Sequence, residues 1–117
     1  MTRFLAMVGV GLMVGSLTGS AATYKTKETI TVANTAIGLA SATTDPSGWP
    51  QMKHCTGRVE TAEIRIWWDG TAPTSTVGIP IEPLELITLD DYSDISQLKM
   101  IRTTATSATV TFVCWAN

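Results

Sequence analysis

Histidine and cysteine are nearly missing from this chain: 117 residues contain one His, His54, and two Cys, Cys55 and Cys114. A structural zinc site needs about four ligands at recognisable spacing, and there is neither a second His nor a CxxC pair to supply them. The neighbours His54 and Cys55 do not make a nucleophile pair, because that chemistry needs the two side chains to meet beside a third, orienting group. His54 reads instead as an exposed residue at a strand entrance. Charge is scarce as well. Only 15% of residues are charged, with 8 Lys and Arg against 10 Asp and Glu, a formal net charge of -2 and no basic cluster. The electrostatic footprint of a DNA- or RNA-binding protein is therefore missing. The Leu, Glu, Lys and Arg richness of a helical bundle is absent too, whereas Thr is abundant and Val, Ile and Trp recur, which points to β structure.

Long apolar runs are confined to the start. After Arg3, residues 4–14 carry no charge, and the segment closes on Gly19, Ser20, Ala21 and Ala22. A basic start, an apolar middle and small residues at an A-x-A-like site form the pattern of a secretory signal peptide, with cleavage near Ala21 or Ala22. The rival readings are a membrane anchor, since residues 4–22 just reach spanning length, and an uncleaved arm. The segment is expected to be helical, and it is the one part of the chain through which a membrane contact is expected. The chain thus divides into an apolar segment, 1–22, and a β domain, 23–117, whose size suffices for one small core.

Residues 59–78, VETAEIRIWWDGTAPTSTVG, organise that domain. Ala62, Ile64, Ile66 and Trp68 fall on one side of an extended chain and Glu63, Arg65, Trp67 and Asp69 on the other, the period of two of a half-buried strand. Asp69-Gly70 ends it with turn chemistry. Residues 24–28 read as a polar lead-in, 29–33 as the first strand and 36–42 as its continuation or partner. Residues 43–51 hold Pro46 and Pro50 and form a loop. Cys55, Gly57 and Val59 lie on one side of a strand whose phase is reset at Glu60-Thr61. Ile79 and Ile81 form a short edge piece around Pro80, followed by a strand at 86–89. Asp91 or Ser93 caps a helical turn that places Ile95 and Leu98 on the core. Strands at 99–103 and 108–115 complete about seven, the pattern of a small antiparallel β-sandwich of the immunoglobulin or fibronectin kind.

Few residues carry chemistry. Cys55 and Cys114 both lie on core-facing sides, either bridging the last strand to an earlier one in an oxidising compartment or staying reduced as small apolar side chains. Asp69, Asp90, Asp91 and Asp94 lack the Gly-and-Glu pattern of a calcium loop and read as capping and surface residues. Glu60, Glu63 and Asp69 supply carboxylates for a glycosidase pair, but a body this small offers no cleft for them. No catalytic, cofactor or metal residue is assigned. The surplus is aromatic: one of Trp67 and Trp68 must point away from the core, where it is covered by the rest of the chain, anchors a protein interface or stacks on sugar. Trp49, Trp67, Thr71, Pro73, Thr74 and Trp115 form the candidate interface set.

The segments ETAEIRIWWDGTAPTSTVG, ITLDDYSDI and MIRTTATSATVTF resemble small β-sandwich structural proteins of tailed bacteriophages, and more loosely the fibronectin-like accessory domains of carbohydrate-active enzymes. About the last half of the chain is covered, and the shared motif is turn chemistry. Where that pattern carries a Gly before the ITL strand, this chain has Leu84 after Pro83. The resemblance implies a non-enzymatic virion protein, a capsid decoration or cement subunit that contacts capsid or other virion proteins, acts as a homo-oligomer and binds no nucleic acid. The alternative is an exported carbohydrate-binding or adhesin-type module, secreted or periplasmic after cleavage near Ala22.

Overall fold

Seven strands and two short helices make up the regular structure of the computed structural model, which describes residues 24–116. In chain order they are β1 (Tyr24–Val32), α1 (Ser41–Thr44), β2 (His54–Val59), β3 (Ile64–Trp67), β4 (Ile79–Ile81), β5 (Leu86–Leu89), α2 (Tyr92–Gln97), β6 (Lys99–Arg102) and β7 (Ala108–Ala116). The segment 1–22, read above as a signal peptide, anchor or helical arm, lies outside the described residues. The strands form two antiparallel sheets, one of four strands in the order β1-β7-β2-β5 and one of three in the order β4-β3-β6.

Alternation decides which side chains are inside. Along β7, Ala108, Val110, Phe112, Cys114 and Ala116 are buried, while Thr109, Thr111, Val113 and Trp115 face outward. Cys55, Gly57 and Val59 of β2 are buried in the same way, as are Ile64 and Ile66 of β3. These join Ile30, Val32, Met52, Ile87, Leu89 and Met100 in one apolar cluster. The phase reset after Val59 is the passage from one sheet to the other: residues 60–63 turn the chain from β2 into β3. Asp91 caps α2 by accepting the Asp94 N–H at 2.8 Å, and the turn buries Ile95 and Leu98.

Two constraints sit where β2 crosses β7. Gly57 lies opposite Phe112, and a Cβ built on it would approach the ring to 2.5 Å, so only glycine leaves room for the largest buried side chain. Cys55 lies opposite Cys114, Cα atoms 4.0 Å apart, and the two are joined by a disulfide that spans 59 residues of sequence. In the loop-entropy picture, closing a loop of that size stabilises a fold by about 4 kcal/mol.

The structure departs from the sequence reading in three places. β1 begins at Tyr24, since the polar residues of the expected lead-in alternate between half-buried Tyr24, Thr26 and Glu28 and exposed Lys25 and Lys27 on an edge strand. Residues 36–42 form no strand: Ile37 makes a single bridge to Met100, and the chain then enters α1, whose Thr43 and Thr44 are buried. β3 stops at Trp67, so Trp68 leaves the core-facing row of Ile64 and Ile66 and stands 40% exposed.

The turn before β5 is a type II turn by its chemistry. Pro83 takes the first central position, the Glu85 N–H donates to the Glu82 carbonyl at 3.1 Å, and Leu84 takes the second with φ 74°. That position calls for glycine, because a Cβ at positive φ collides with the following peptide. Leu84 is also 67% exposed and gains no packing there. Leu84→Gly is expected to raise stability by up to about 1 kcal/mol, because the strain it relieves exceeds the chain entropy it adds. Gly57→Val is expected to cost about 1–3 kcal/mol by overpacking against Phe112. Urea unfolding of the two variants beside the parent checks both signs.

Candidate functional site

Arg65 and Trp67 occupy the outward face of β3, and residues 70–78 fold back over that face. Arg65 donates to the Gly78 carbonyl at 2.7 Å, and Gly78 runs at φ 131°, so close to Pro73 that an added Cβ would lie 3.0 Å from the proline Cβ. Asp69 accepts the Thr71 N–H at 2.9 Å, and the Thr71 hydrogen bonds hold its carboxyl below the usual range. Thr74 and Val77 bond across the tip, with the Thr74 hydroxyl accepting the Val77 N–H at 3.0 Å. The loop is thus built by its own side chains. Beside it lies an open cleft of about 450 Å³ lined by residues that include Pro73, Thr74, Ile101 and Thr103.

The candidate interface residues fall into two groups: Trp67, Thr71, Pro73 and Thr74 belong to the outer face of β3 and the loop folded over it, whereas Trp49 and Trp115 lie apart from them. Thr71 and Thr74 are exposed on the loop, Pro73 is buried beneath it and Trp67 is half-buried. Trp49 packs against Tyr24, ring centroids 5.3 Å apart and tilted by 55°. Trp115 stacks on His54 at 5.4 Å on the outer face of the four-stranded sheet, where His54 Nδ1 also lies 3.6 Å from Asp90. Trp49 and Trp115 are therefore engaged by their own neighbours rather than set in one platform.

The apolar surface that does gather lies elsewhere. β4 and β5 are edge strands of different sheets, and between them the body opens into a groove of about 290 Å³. Its walls include Ile66, Trp68, Ile79, Ile81, Leu86 and Ile87. Ile79 and Ile81 pair with Ile66 and Ile64, so they continue the core-facing row of β3 to an edge that nothing among the described residues covers. Leu86, 57% exposed, closes the other side, and Asp90 and Asp94 stand at the rim. An apolar patch with a polar rim is the anatomy of a contact surface. The sequence carries a signal for it in the alternation of Ile79 and Ile81 around Pro80, followed closely by Leu84 and Leu86.

Two carboxylates meet at the far end of β4, where Glu63 and Glu82 extend the β3–β4 pairing. The contact with Glu82, then the Thr103 hydroxyl at 2.7 Å, hold Glu63 below the usual range, while the same contact with Glu63, together with desolvation, pushes Glu82 above it. Neither residue lines the two clefts above. Among the described residues, no three of His, Cys, Asp and Glu are grouped so as to hold a metal ion.

The two opposite shifts give stability a sign on each side of the ordinary glutamate range. The Glu82 contribution to stability is complete below the ordinary glutamate pKa and fades as pH rises through its raised value. The Glu63 contribution is present above the ordinary value and is lost as pH falls through its lowered one. Glu82→Gln keeps a donor to Glu63 at every pH. Thermal midpoints measured from about pH 3 to about pH 8 are expected to lose the alkaline-side decline in that variant and to keep the acid-side one.

No family model, no curated protein and no solved structure matches the chain.

Proposed function

We propose that this chain is a non-enzymatic structural subunit that works through protein–protein contacts, and that its setting is the bacteriophage virion, where it decorates or cements a capsid. The contact reading rests on one observation, the uncovered apolar groove between β4 and β5 with Trp68, Ile79 and Leu86 in its walls. Tryptophan in such a position is the residue type that most often dominates binding energy. The virion setting rests on the resemblance carried by residues 60–78, 87–95 and 100–112. Its partners are capsid or other virion proteins and further copies of itself, without nucleic acid. The body is read as an immunoglobulin- or fibronectin-like sandwich in which the last strand has moved: β7 lies between β1 and β2, whereas in the immunoglobulin arrangement the last strand lies beside the sixth.

A second reading is favoured by the bond between Cys55 and Cys114. Disulfides persist in oxidising compartments, which suits an exported carbohydrate-binding or adhesin-type module whose leader is removed near Ala22.

Intact mass and co-purification separate the two. A chain that retains Met1 and travels with virus particles supports the virion reading, and one that begins near Ala22 or Thr23 and travels free supports export. On particles, Trp68→Ala is expected to weaken binding at least about 10-fold, read by co-sedimentation across a concentration series. Binding unchanged by Trp68→Ala together with Leu86→Ser would remove the groove from the account.

A further inference from the structure

Of the four sheet edges among the described residues, two are blocked by backbone, and β1 is guarded only by the charge of Lys25 and Lys27. Pro80 interrupts β4, and the free side of β6 takes the bridge from Ile37. The edges that remain are β1 and β5, the two ends of the same four-stranded sheet. Within β5, Leu86–Leu89 holds neither proline nor charge, the devices that ordinarily keep other strands away.

The charges near these two edges are of opposite sign and lie in one row. On the outer face, Lys25 of β1 pairs with Trp115 of β7, Trp115 pairs with His54 of β2, and His54 contacts Asp90 just past the end of β5. The row thus begins with a lysine at one edge and ends with a carboxylate at the other. Lys27 follows Lys25 on the same exposed face, and both are exposed, as is Asp90.

The backbone is in phase for the same join. The Val59 N–H donates to the Glu85 carbonyl, so in the alternating antiparallel ladder Ile87 and Leu89 bond toward β2, and Leu86 and Thr88 turn their N–H and C=O groups to the open side. The Glu60 N–H donates to the Thr109 carbonyl, which sets the β2–β7 ladder and, through β7, turns the groups of Lys25, Lys27, Thr29 and Thr31 outward on β1. β1 and β5 run in opposite directions.

We infer that β5 of one copy of this chain pairs with β1 of the next, head to tail, extending the four-stranded sheet from subunit to subunit with Asp90 facing Lys25 or Lys27 across each junction. Self-pairing of like edges is disfavoured by charge. Two β5 strands laid antiparallel about Ile87 bring Glu82 and Glu85 of each copy beside Asp90 and Asp91 of the other, and two β1 strands bring lysine to lysine. The lysines therefore repel a second β1 while admitting a strand that ends in aspartate. A head-to-tail contact closes into a ring or runs on as a chain, depending on the rotation at each junction. This inference deepens the contact reading by naming a second copy as one partner, and it rests on the β1 and β5 edges rather than on the β4–β5 groove.

The test is sedimentation of the full chain between about 1 and about 100 µM, the range in which a four-residue strand contact is expected to respond. The parent is expected to form assemblies larger than a dimer that dissociate as salt rises. Thr88→Pro removes an N–H that faces outward and leaves the ladder to β2 intact, so it is expected to keep the parent's circular dichroism and to abolish association. D90K alone and K25D/K27D alone are each expected to weaken self-association at least about 10-fold, and mixing them is expected to restore it, because every junction in the mixture is again complementary. A parent that stays monomeric, a dimer that goes no further, association unaffected by Thr88→Pro, or a mixture no better than its parts would each overturn the inference. A monomer that still binds particles through Trp68 would sink the edge pairing alone, while a chain that assembles but binds no particle would sink the virion reading alone.

Discussion

The pairing of β2 with β7 is the constraint on which the rest of the structure depends. One strand follows the first third of the described chain and the other closes it, so their contact carries a large loop-closure cost. Two successive positions on the inner face of β2 fix the register. Cys55 and Cys114 are bonded, and two residues along, Gly57 yields its side-chain space to Phe112. A shift by one residue would set Phe112 against Thr56 or Arg58 and turn every buried side chain of β7 to the outside. With that crossing in place, β1 adds to one side of β7 and β5 to the free side of β2. The smaller sheet then needs only short strands, since β3 enters directly from the turn after β2.

What could be read from the sequence follows from how local each determinant is. The alternation of Val110, Phe112 and Cys114 and of Cys55, Gly57 and Val59 is a property of the strands themselves, and the all-β architecture with seven strands was visible from it. The Asp91 cap and the burial of Ile95 and Leu98 were equally local. Tyr24 to Glu28 looked like a lead-in because its residues are polar, and only the partner strand β7 reveals that they form an edge. The alternation continues through Trp68 and places it on the core side, whereas the strand ends one residue earlier and leaves it exposed.

The apolar groove was harder to read, for the same physical reason. Each of Trp49, Trp67, Thr71, Pro73, Thr74 and Trp115 is conspicuous in sequence, but Trp49 and Trp115 lie apart from the β3 face and loop that hold the other four, and Pro73 is used inside that loop. The groove is made instead by ordinary isoleucines and leucines. It exists because two edge strands from different sheets fail to meet, and strand order between sheets is not written in the spacing of any one segment. Leu84 lies at the border of the two cases: the missing glycine is plain in the sequence, and the left-handed backbone that makes its absence costly appears only in three dimensions.

The covalent link between the second and last strands also decides how the molecule bears load. Tension applied to the two ends of the described chain enters at Tyr24 and leaves at Ala116, and the sulfur bridge between Cys55 and Cys114 carries it past the intervening 59-residue separation. β3, β4, β5 and β6 therefore lie off the line of force. Only β1, the connection to Cys55 and the last residues of β7 can lengthen, so a chain tethered at both ends would peel off β1 and that connection, uncovering the core they share through Ile30, Val32 and Met52, and then stop at the sulfur bridge with β3 to β6 still looped behind it.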